Sequence, residues 1–120
     1  MAARVLIVDD SSLVTDAFEI LFEGAGYEVR SARSVAEAID IGRKTTVDLL
    51  LLDLNLPDGS GLGVIDALRG SGNLPRATLA MTGHNDAETR RRCLDAGCAD
   101  VLVKPVPIRE LLRQIERLLS

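Results

Sequence analysis

The sequence predicts an α/β fold with a doubly wound, five-stranded parallel sheet. Five short apolar runs alternate with five segments of helical periodicity across 120 residues, the pattern of strands joined by helical crossovers. The third run, Leu49 to Leu52, is unbroken leucine and ends abruptly in Asp53, as expected of a strand buried on both faces. The composition is 47% hydrophobic but 2% aromatic, so the core is aliphatic and large enough for one compact domain spanning residues 1–120.

Taken in order, residues 4–9 form a buried strand, followed by Ser11 and Ser12 as N-cap residues. Leu13, Ala17, Ile20, Leu21 and Gly24 then mark a helix by their spacing, ended by Gly24 and Gly26. Residues 27–32 alternate, as in a strand nearer an edge. Ser34 and Glu37 form a capping-box signature, opening a helix that turns Val35, Ala38, Ile39 and Gly42 to the sheet. After the strand ending in Asp53, residues 56–61 are turn chemistry, and Leu62, Ile65 and Leu68 mark a short helix stopped at residues 70–72.

The fourth strand is 77–82, with residues 83–86 as its turn. The helix at 87–96 carries Arg90, Arg91 and Arg92 and little apolar anchorage, mainly Leu94 with Ala87 and Cys93, and Gly97 caps it. A fifth strand, 100–104, precedes Pro105 and Pro107. The last helix has the clearest stripe: Ile108, Leu111, Leu112, Ile115, Leu118 and Leu119. Right-handed crossovers restrict such a chain to a few topologies. No linker, repeat or second domain is visible.

Several function classes are disfavoured. The formal net charge of −4 argues against direct nucleic-acid binding, which needs a basic footprint. Cys93 and Cys98 lack metal-ligand spacing and read as small packing residues. No apolar stretch is long enough for a signal segment or a membrane span, so a cytoplasmic domain is expected.

In a parallel sheet the strand carboxyl ends share one edge, where open α/β sheets collect ligands. Strand one brings Asp9 and Asp10 there, strand three Asp53, strand four Thr82 and strand five Lys104. Taken singly, each has an ordinary reading: helix-start charge for the Asp pair, a turn acid, a helix cap, a solvated loop lysine. Their coincidence at one edge favours a functional site. Three acids brought together repel unless a cation neutralises them, and Mg2+, a hard ion that takes oxygen ligands, suits them; Mn2+ is an alternative.

The stretches Ile7-Val8-Asp9-Asp10, Leu51 to Gly61, Met81-Thr82-Gly83, Asp95-Ala96-Gly97 and Val103-Lys104-Pro105 together resemble the receiver domains of two-component response regulators, over about residues 4–119. That resemblance implies a flavodoxin-like sheet of strand order 2-1-3-4-5. It implies that Asp53 accepts a phosphoryl group from a histidine kinase or phosphotransfer protein. Asp10 and Asp53 would hold the metal directly, Asp9 through water, and the Asn55 backbone carbonyl would complete the set. Thr82 and Lys104 would bind phosphoryl oxygens, and the Lys104–Pro105 bond would be cis. The output would be altered binding of an output domain or partner, with the fourth helix, fifth strand and fifth helix as signalling face and a possible homodimer.

The chain departs from the family at Val101, where many members carry a switching aromatic, and at Val106, where phenylalanine is common. Asn55 and His84 occupy positions that tune phosphorylation rates in the family; for His84 a plain helix-start role is the alternative. Arg90, Arg91, Asp95, Arg109, Glu110, Arg113 and Glu116 offer charges for pairing across the signalling face. Two rivals remain at this stage: a phosphorylation-independent interaction module of the same fold, and a phosphatase or phosphotransferase turning over an aspartyl phosphate. The expectation is a switch rather than an enzyme.

Overall fold

The structure, a computed structural model, describes residues 2–84 and 86–120. Met1, where the expected domain begins, and Asn85, in the turn after the fourth strand, lie outside the described residues. Strands β1 (Arg4–Val8), β2 (Glu28–Ala32), β3 (Leu49–Asp53), β4 (Ala77–Thr82) and β5 (Asp100–Val103) alternate with helices α1 (Ser12–Gly24), α2 (Val35–Lys44), α3 (Leu62–Gly70), α4 (Ala87–Ala96) and α5 (Ile108–Leu119). The five strands form one parallel sheet in the order β2-β1-β3-β4-β5. A two-residue-by-two-residue antiparallel ribbon, Asn55–Leu56 against Gly59–Ser60, stands just beyond β3.

β3 lies at the centre, and Leu49 to Leu52 are each 0% exposed. Alternation along the strand divides them between two cores. Leu50 and Leu52 join Leu6, Val8, Ala38, Val64, Ile65, Leu68 and Val101 on the face covered by α2, α3 and α4. Leu49 and Leu51 join Val5, Ile7, Phe18, Phe22, Leu111 and Ile115 on the face covered by α1 and α5. Each such leucine contributes about 1.5–3 kcal/mol relative to exposure.

The helix termini follow the sequence signals. Ser11 and Ser34 cap α1 and α2, accepting from the Val14 and Glu37 amides. Gly97 closes α4 at φ 108°, a left-handed conformation for which glycine has no steric penalty.

Two expectations about helix faces need correction. On α1, Leu13 and Ile20 point to solvent, 81% and 75% exposed, while Thr15, Phe18 and Phe22 are buried. Phe18 and Phe22 stack with ring centroids 5.5 Å apart, and these larger rings hold the inward face. On α4, Leu94 is 45% exposed, and Cys93 is the buried anchor. On α3 the expected Ile65 and Leu68 are buried, joined by Val64, and Leu62 packs half-buried against the same core.

Candidate functional site at the carboxyl edge of the sheet

Register brings the chemistry together. Val8 pairs with Leu52, so Asp9 and Asp53, one step further along, stand abreast. Asp53 pairs with Met81 and Thr82 with Val103, which sets Thr82 and Lys104 one step beyond their neighbours. Asp9 and Asp53 are 1% and 5% exposed, whereas Asp10 is open to solvent. Carboxylate oxygens of Asp9, Asp10 and Asp53 lie within 4.8 Å of one another.

The Lys104 ammonium holds the two buried acids. Its Nζ donates to Asp53 Oδ2 at 2.9 Å and to Asp9 Oδ2 at 3.0 Å. The other oxygen of each acid accepts a backbone amide: Ser11 N–H donates to Asp9 Oδ1 at 3.0 Å, and Asn55 N–H to Asp53 Oδ1 at 3.1 Å. Buried carboxylates without such partners cost several kcal/mol each. Burial alone would lower the Lys104 pKa, but the hydrogen bonds and charges of Asp53 and Asp9 outweigh it and hold the ammonium above its ordinary value. The Lys104–Pro105 peptide is cis, as expected.

Thr82 is placed differently. It is 1% exposed, yet its Oγ1 accepts from the His84 amide at 3.1 Å rather than meeting the Asp53 carboxylate. It borders a cavity of 450 Å³ shared with Asn55, Ser60, His84, Thr89 and Arg92. The side chains of Asn55 and His84 are exposed at this edge. Val101 is buried in the core beside Cys93 and Cys98. Burial pushes the Cys98 thiol up to about 12, in keeping with a packing role.

The charges expected to face a partner are partly used within the chain. Arg90 pairs with Asp100 at 3.0 Å, and Arg113 with Glu110. Sequence reasoning also passed over Asp58, taken as turn chemistry. Its carboxylate crosses to α2, where the Val35 and Ala36 amides donate to it at 2.8 and 3.0 Å. No local signal marks a contact that spans more than twenty residues of chain.

The donor set suits a divalent cation. It consists of hard carboxylate oxygens, two acids firmly oriented by backbone amides, and one exposed acid on the solvent side, the ligand chemistry that Mg2+ takes. Chemically, the arrangement presents an oriented, buried carboxylate beside a fixed ammonium.

Residues 5–116 match the family model described as the response regulator receiver domain. The response regulator MprA of Mycobacterium tuberculosis is 37% identical over 120 residues, covering 99% of this chain and 51% of that protein. The cell cycle transcriptional regulator CtrA of Caulobacter vibrioides is 30% identical over 112 residues, covering 93% of this chain and 48% of that protein. The chain thus spans about half the length of the curated relatives it matches. Among solved structures, chemotaxis protein CheY4 of Vibrio cholerae superposes with a TM-score of 0.92 at 29% identity, covering 99% of this chain and 100% of that one. A CheY-like receiver domain protein of Methanospirillum hungatei JF-1 gives 0.88 at 31% identity, covering 98% and 94%. With the sheet order, the acidic edge and these likenesses in agreement, the chain belongs to the receiver domain family of two-component response regulators.

Proposed function

We propose that Asp53 is the phosphoacceptor of this receiver domain and that its phosphorylation switches the binding of an output domain or partner. The observation that carries this reading is the placement of Lys104 Nζ within hydrogen-bond reach of both Asp53 and Asp9. A Asp53 oxygen attacks phosphorus as the bond from phosphorus to the donor histidine nitrogen breaks, and that nitrogen keeps the electron pair. Phosphoryl transfer depends mostly on positioning and on positive charge at the equatorial oxygens. Lys104 supplies one such charge.

Asp9, Asp10, Asp53 and the Asn55 carbonyl are the groups that would hold Mg2+, which when bound supplies further positive charge to the transferring group. The new phosphoryl oxygens offer acceptors to Thr82, whose hydroxyl leaves the His84 amide to reach them. This biases a two-state equilibrium of the loops after β4 and β5. Asn55 and His84 flank the route to Asp53 and tune its phosphorylation and hydrolysis. With Val101 in place of an aromatic, the signal passes through the β4–α4 loop and α4 rather than through a swinging ring. The donor is a histidine kinase or phosphotransfer protein in the cytoplasm, and the phosphorylated face formed by α4, β5 and α5 pairs with a second copy or with an output domain. Slow self-hydrolysis resets the switch without making the domain an enzyme.

The test adds beryllofluoride or acetyl phosphate with Mg2+ to wild type and to Asp53→Asn, following backbone amide spectra. Wild type shifts in the loops after β4 and β5, and Asp53→Asn does not. A wild-type domain that responds to neither reagent would sink the reading.

A further inference from the structure

The loop from Leu54 to Gly61 leaves the site at Asp53 and returns to it. At its base, Leu54 N–H donates to the Met81 carbonyl at 3.1 Å, and Gly61 N–H to the Leu54 carbonyl at 2.9 Å. The return is so close that a Cβ on Gly61 would lie 2.2 Å from the Asp53 carbonyl oxygen. At the exposed tip, Asp58 reaches across to α2 and takes two first-turn amides, from Val35 and Ala36. Such amides have no partner within their own helix.

α2 is tied in turn to the opposite side of the site. The strand that leads into it ends at Ala32, whose carbonyl accepts the Asp9 amide at 3.0 Å. The links close into a ring around the acids: Asp53, the loop, Asp58, the first turn of α2, Ala32, Asp9, Lys104 and Asp53 again. Asp58 is the side chain that joins the loop to α2 in this ring, and it bears on the segment that carries Asn55.

We propose that Asp58 is a positioning residue: its bridge to α2 fixes the loop segment that carries Asn55, whose amide already holds Asp53, and this sets the domain's affinity for a divalent cation. The proposal rests on the reading of the Asp53 site given above. Asp58 touches neither the cation nor the phosphoryl group and acts through the loop. Ser34 provides an internal control, because its hydroxyl caps the same helix terminus through the Glu37 amide at 3.1 Å without touching the loop.

The experiment titrates Mg2+ by calorimetry into wild type, Asp58→Ala, Asp58→Asn and Ser34→Ala, with amide spectra recorded for each to verify the fold. Asp58→Ala weakens Mg2+ binding by about ten-fold, the lower end of what losing an outer partner of a metal ligand does. Asp58→Asn, which keeps an acceptor oxygen for one amide, falls between, and Ser34→Ala binds as wild type. Unchanged binding in Asp58→Ala, with wild-type binding intact, overturns the positioning role alone. An equal loss in Ser34→Ala overturns it too, since the effect would then be helix stability. A wild type that binds no Mg2+ overturns both this role and the reading of the site.

Discussion

At the scale of single residues, the site is an exercise in neutralising buried charge. Asp9 and Asp53 are carried into the sheet edge by strands that are apolar apart from Arg4 at the start of β1, and one ammonium and two backbone amides make that placement tolerable. The same crowding makes Gly61 intolerant of any side chain. Its φ of −56° is ordinary, so the constraint is space and not backbone freedom. Gly61→Ala forces the loop away from the Asp53 carbonyl and should cost about 1–3 kcal/mol in urea denaturation, as overpacking of a tight contact does. The acids, Thr82 and Lys104 were legible in the sequence because strand ends in a parallel sheet share one edge. The contact of Thr82 was not, because a hydroxyl on a strand end has several amides within reach and the local sequence does not rank them.

Among the elements, α4 is the least anchored. Cys93 is its buried residue, and the helix is otherwise held by polar ties. Arg69 donates to the Ala96 carbonyl at 2.7 Å, and Arg90 pairs with Asp100, which also accepts from Gln114 of α5 at 3.0 Å. Amide exchange should therefore be faster in α4 than in α3. Its N-terminus depends on Asp86, which accepts from the Thr89 amide at 2.7 Å and the Thr89 hydroxyl at 2.9 Å. These bonds hold the Asp86 carboxyl below its ordinary pKa. A carboxyl lowered in the folded state stabilises above its unfolded value, about pH 4, and loses that contribution as pH falls through the folded value. Asp86→Ala should thus speed exchange across α4 at neutral pH, and the difference from wild type should shrink on acidification. Equal exchange at neutral pH would remove Asp86 as the determinant. The weak anchorage was readable from the arginine-rich sequence, but the ties to Asp100 and Ala96 were not, since they join segments placed together by the sheet.

For the whole molecule, the two-faced sheet decides which apolar residues count. On α1, Leu13, Ala17 and Ile20 form one helical stripe and Phe18 with Phe22 another, so periodicity alone allows either to face inward. The structure turns the aromatic pair to the core, where the larger rings fill the space between α1, β1 and α5. Phe22→Ala should cost about 3–5 kcal/mol, whereas Leu13→Ala should stay within about 0.5 kcal/mol of wild type, both read from urea denaturation. Comparable losses would restore the stripe inferred from spacing.

The place of Lys104 in the chain has a consequence for synthesis. All three acids of the cluster precede residue 54, while the cation that balances the buried pair arrives on the last strand, at a sheet edge. A nascent chain that has emerged only as far as α4 holds the buried acids but not their counter-charge. The buried pair is therefore balanced only when β5 docks, and a chain cut short before that point carries Asp53 and Asp9 without their ammonium.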